Sequence, residues 1–173
     1  MDKLLIIVTK VDGRLGSAEG FLAEMRWIDK FPSRFGRLVS RGRRVLPDDL
    51  DAFYTAFDEG RLSDEDANAV RDLDIIIQGV QGKGDSKVPV LIAVEVSIRL
   101  EVYDLLRVLE RSAILQRLGY HVVPVLAGAI IGDELNAQAK ANGVEVLLKP
   151  GDILYPVSDM IRDLEPFRAS QDA

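Results

Sequence analysis

The chain has no cysteine in its 173 residues. That excludes disulfide scaffolds, thiolate metal sites and cysteine nucleophiles. His121 is its single histidine, which excludes histidine-rich metal cages and most serine–histidine–aspartate designs. A catalytic metal would have to be held by oxygen ligands, favouring Mg2+ or Mn2+. Long apolar runs are also missing. The N-terminal one, Leu4 to Val8, spans five residues, too few for a signal-peptide core or a membrane span, so the expectation is a cytoplasmic protein with no membrane partner. Nor is there an excess of positive charge. A net charge of −6 argues against sequence-independent nucleic-acid binding over the whole surface, but leaves room for a local basic patch.

What is present is ordinary for a globular chain: 47% hydrophobic and 29% charged residues, enough for one domain with a core and a helical appendage. Leu4, Val8, Val11, Leu15, Ala18, Leu22 and Met25 alternate spacings of four and three. This heptad seam predicts an N-terminal helix and a homodimer formed through it. Over residues 3–11 a second reading stands, because KLLIIVTKV is rich in the β-branched residues of a buried strand. Residues 34–44, RFGRLVSRGRR, then hold five arginines. The acidic run from Asp48 to Glu65 and Asp66 follows. Arg37, Arg41, Arg43 and Arg44 could meet nucleic-acid phosphates or pair with that acidic run; both readings stand. Pro47-Asp48-Asp49 and Ser63-Asp64-Glu65-Asp66 mark the starts of two short surface helices.

From Asp72 the pattern changes. DLDIIIQGVQ and VPVLIAVEV are two strands joined by the turn-forming GKGDSK. Leu100 to Leu118 reads as a helix closed by Gly119. YHVVPVLAG is a third strand, Asp133 to Asn142 a second helix and VEVLL a last short strand. The expected organisation is an N-terminal helical region over 1–70, an α/β (α+β) core of helices on a central sheet over 71–165, and a frayed tail at 166–173.

One residue is out of place in this pattern. Glu95 lies near the end of the apolar strand VLIAV, where an ionised carboxylate is costly unless something pairs with it. If the hairpin turns midway between Gly84 and Asp85, the residue opposite Glu95 is Asp74. Directly opposed side chains have Cβ atoms about 4.5–5.5 Å apart, so the two carboxylates repel or need a cation between them. With no basic residue in either strand core, a divalent metal is one counter-charge. The other reading is two strand-end acids that reach water.

An aspartate at a strand start, a hairpin, a glutamate inside an apolar strand and a long helix together resemble the PD-(D/E)XK nuclease superfamily. More narrowly, FGRLVSRGRRVL, DLDIII, LIAVEVS, DLLRVLERSAILQRLGY and VPVLAG resemble uncharacterised bacterial and archaeal proteins with an N-terminal coiled coil and a nuclease-like domain. The resemblance implies a restriction-endonuclease-like mixed sheet flanked by helices, and Mg2+- or Mn2+-dependent phosphodiester hydrolysis. It makes Asp74, Glu95 and the Val96 carbonyl metal ligands, and Glu24, with Glu19 second, an assisting acid on the first helix. The pattern departs at Ser97, where the superfamily places a lysine that stabilises developing negative charge. Some members carry that cation on the following helix, where Arg107 and Arg111 lie one turn apart on a shared face. A degenerate fold kept as a nucleic-acid-binding or dimeric assembly module is the alternative.

Four further signals carry no function. TKVD at 9–12 imitates a GTPase specificity motif, but the chain has no phosphate loop of the form GxxxxGK[ST]. The glycine-rich GVQGKGDS lies between strands and is a hairpin turn. His121, flanked by Tyr120, Val122 and Val123, is expected to be a satisfied sheet residue, and Trp27 a core or interface residue.

Overall fold

The computed structural model describes residues 20–149. The seam positions Leu4 to Ala18, the helix-or-strand question at 3–11, Glu19 and the tail at 166–173 lie outside them. The described chain is an α/β arrangement: one five-stranded mixed sheet with helices on both faces.

The middle strand of the five is the longest and carries a dense apolar run. β2 (Ile75–Gln81) and β3 (Val88–Arg99) pair antiparallel with Ile75 opposite Val94 and Gln81 opposite Val88, the register expected from the turn. Helix α5 (Val102–Arg117) then carries the chain to β4 (Val122–Ile130), parallel to β3, and α6 (Asp133–Ala141) carries it to β5 (Glu145–Leu148), parallel to β4. Gly119 follows α5 at φ 90°, a left-handed turn that suits glycine and stops the helix. β3 and β4 approach closely at Gly128, where a Cβ would run into the Ser97 carbonyl oxygen.

Alternation along the strands sorts side chains to two faces. Ile75, Ile77, Ile92 and Val94 pack with Trp27 and Phe35, which belong to helix α1 (described over 20–29) and α2 (Phe31–Phe35). Trp27 is thus a core residue, 1% exposed. On the opposite face Ile76, Leu91 and Ala93 meet Phe53, Ala56, Ala67, Val70, Ile114 and Leu115. Phe53 and Ala56 come from α3 (Asp51–Asp58), Ala67 and Val70 from α4 (Asp64–Arg71). The Ser63 hydroxyl caps α4 by accepting the Asp66 N–H at 3.1 Å. Pro47–Asp49 forms a 3-10 turn, with α3 starting two residues later. The two helices expected on the surface therefore bury their inner sides in the main core.

The arginine run differs most from the sequence reading. Residues within the expected helical region form β1 (Ser40–Arg44), antiparallel to β2 at the sheet edge. Its neighbours Val39 and Val45 are buried, while Ser40, Arg41, Arg43 and Arg44 are exposed. A half-solvated edge strand with charged side chains lacks the apolar alternation that would announce it. Its pairing with β2 shifts register between Ser40 and Arg43, and Arg41 has φ 53°. Such a bulge twists an edge and re-aims side chains, and together with charge it discourages edge-to-edge association. His121 is exposed and precedes β4, so it is not a sheet-core residue; its carbonyl accepts the Leu91 N–H at 2.8 Å. No helix among the described residues is long and apolar enough to cross a membrane.

Candidate functional site

Glu95 points from β3 towards α5, on the face that carries Leu91 and Ala93, and is 1% exposed. Its charge is met by arginine. Arg111 Nη1 donates to Glu95 Oε1 at 2.5 Å and to the Asp72 carbonyl at 2.8 Å. Arg107 Nη2 lies 3.1 Å from Glu95 Oε2. That second contact is an ion pair without hydrogen-bond alignment, since Oε2 and Arg107 Nε have no hydrogen-bond partner. Arg107 is held in turn by Asp104 Oδ1 at 2.7 Å, and its guanidinium stacks 4.9 Å from the Tyr103 ring centroid. Asp104 also accepts the Glu101 N–H at 2.9 Å, capping α5.

Asp74 immediately precedes β2, and the β2–β3 register carried on by one residue sets it opposite Glu95. Its Oδ2 accepts the Val96 N–H at 2.7 Å, which ties the start of β2 to the exit of β3. Burial pushes the Asp74 carboxyl above its ordinary range, against the lowering effect of that N–H, Arg107 and Arg111. Burial and then the neighbouring Asp74 push Glu95 up to about 7, and the two guanidinium groups offset only part of this. Glu24 of α1 is raised by burial and next by Asp74, while Arg44 lowers it. Glu24 therefore lies within electrostatic reach of Asp74, the side from which the assisting acid was expected.

The structure thus gathers Asp74, Glu95, Arg107 and Arg111, with Glu24 nearby. Val96 takes part through its N–H, and the Ser97 hydroxyl turns to the Arg99 carbonyl at 2.9 Å. Sequence reasoning missed Asp104, although an acid three residues into a helix is a capping signal. The Asp72 carbonyl could not have been found, because backbone acceptors carry no residue signature.

The acidic run does not neutralise the arginine cluster. Asp48 pairs with Arg71 and Asp66 with Arg117, each at 2.7 Å, and Glu59 pairs with Arg61 at 2.5 Å. Arg43 Nη2 donates to Gln78 Oε1 at 2.6 Å. Arg37, Arg41 and Arg44 are exposed and form no ion pair among the described residues.

No family model matches the chain, and no curated protein or solved structure matches it.

The donor set at Glu95 does not fit a divalent ion. Among the described residues no three acids or histidines group to hold one. A dication beside Glu95 would also meet two guanidinium groups that already hold its charge, and like charges at such range repel. The counter-charge expected from a metal is supplied here by Arg107 and Arg111, which reach across from α5.

Proposed function

We propose that this chain is a nuclease-like module that binds nucleic-acid phosphates through the arginines of β1. The exposed, bulged edge carrying Arg41, Arg43 and Arg44, to which no acid of the following run is paired among the described residues, supports the reading more than any other observation. Phosphates are read by such guanidinium groups with a strong salt dependence. The restriction-endonuclease-like part of the proposal draws on an order of parts: an acid before β2, a hairpin, a glutamate in β3, the long helix α5 and a parallel β4. The test is R41E/R43E/R44E, with binding of a labelled oligonucleotide followed over a salt series. The triple variant should bind about tenfold or more weaker, with a shallower salt slope. Equal affinity and slope would remove the idea.

Hydrolysis with Mg2+ or Mn2+ held by Asp74, Glu95 and the Val96 carbonyl is the second reading. It has one observation in its favour, the Glu95 Oε2 that lacks a hydrogen bond. Ser97 and the arginine clamp weigh against it. Calorimetric titration with Mn2+ is expected to give no saturable heat. A saturable heat lost in both Asp74→Ala and Glu95→Ala would reverse the order of the two readings.

A further inference from the structure

A groove of about 740 Å3 lies along the β5 end of the sheet, lined by α2 from one face and α6 from the other. That volume falls within the range of small-molecule sites. Its walls carry four cationic side chains from separate parts of the chain. Arg34 and Arg37 come from α2 and the turn after it, Lys140 from α6 and Lys149 from just beyond β5. Glu145 is the single carboxylate among the described lining residues. Among the described lining residues Arg37, Lys140 and Lys149 outnumber Glu145 even with Arg34 set aside, a local reversal of a chain whose net charge is −6.

Among the described residues Arg37, Lys140 and Lys149 form no ion pair, although acids elsewhere on the surface are paired. Gathering like charges around a concavity raises the local concentration of an anion. Trp27 forms part of the wall, and the Arg34 guanidinium sits 4.4 Å from its ring centroid. β5 ends the sheet, and its outer side has no strand partner among the described residues.

We infer that this groove binds the phosphates of a nucleotide, its volume leaving room for the sugar and base beyond the cations. The same chemistry is offered by a free nucleotide and by a nucleotide within a strand. The site goes beyond the β1 reading and shares neither Lys140 nor Lys149 with it.

Trp27 is the only tryptophan in the chain, so its emission reports on the groove, and calorimetry provides a second readout. The full chain is titrated with adenosine triphosphate, inorganic triphosphate and a short oligothymidylate. Saturable binding of adenosine triphosphate or of the oligomer is expected, weakened about tenfold or more in K140E/K149E and retained in R41E/R43E/R44E. Adenosine triphosphate alone would identify a free nucleotide, and the oligomer alone a strand. Both lysines are exposed, so the variant should keep the wild-type circular dichroism spectrum and melting temperature. No saturable binding by either readout, binding unaffected in K140E/K149E, or inorganic triphosphate binding as tightly as the nucleotide would overturn the assignment.

Discussion

Arg111→Ala is expected to destabilise the fold by about 3–5 kcal/mol at pH 8, the range for removing one partner of a buried ion pair. The substitution removes the 2.5 Å bond to Glu95 and the 2.8 Å bond to the Asp72 carbonyl. It leaves a carboxylate that is 1% exposed facing Asp74 and the single contact with Arg107. Arg107 cannot replace it, because its contact with Oε2 is poorly aligned and it is shared with Asp104. Most of the cost is therefore uncompensated charge on Glu95. Adding Glu95→Gln to Arg111→Ala should recover a large part of the loss, which a mere packing defect would not do. Arg107→Ala should cost less, since its side chain is 30% exposed and water can replace it. Urea unfolding of the four proteins gives the comparison. A loss below about 1 kcal/mol for Arg111→Ala, the range of an exposed pair, would show that Glu95 is not charged against it.

Much of this site was legible in the sequence, and the part that was not has a physical cause. The pairing of Asp74 with Glu95 followed from a hairpin whose turn residues fix the register. The partner of Glu95 did not follow, because neither strand core holds a basic residue and the cation arrives from a helix. A clue was present in α5. Asp104, Val108, Arg111 and Leu115 are spaced four, three and four, and all four are buried. Arg111 thus sits in the middle of an inward stripe. β1 was hidden for the opposite reason: its own residues face solvent, and the apolar cues, Val39 and Val45, lie just outside it. The exposed Leu22 and Met25 continue the proposed heptad seam, whose earlier positions lie outside the described residues.

Stability is expected to fall as pH rises from about 5 to about 8. Glu95, Asp74 and Glu24 all hold their protons more tightly in the folded chain than the ordinary carboxyl does. For such groups the contribution to stability is complete below the unfolded pKa and is lost as pH climbs through the folded one. For Glu95 the window runs from the ordinary 4.5 to about 7. Across it the folded chain binds more protons than the unfolded chain, so the slope of unfolding free energy against pH is negative. The full Glu95 effect is at most about 3–4 kcal/mol, at about 1.4 kcal/mol per pH unit. Asp48 acts with the other sign, since its hydrogen bond to Arg71 lowers its pKa, and its loss comes at lower pH, outside this window. Denaturant unfolding at several pH values should give the negative slope in the wild type and a flatter one in Glu95→Gln, with a remainder from Asp74. Arg111→Ala should cost less at pH 5 than at pH 8, because a protonated Glu95 no longer needs its guanidinium. A wild type equally stable across the range would mean that Arg111 and Arg107 together fully offset burial and Asp74, leaving Glu95 an ordinary paired carboxylate.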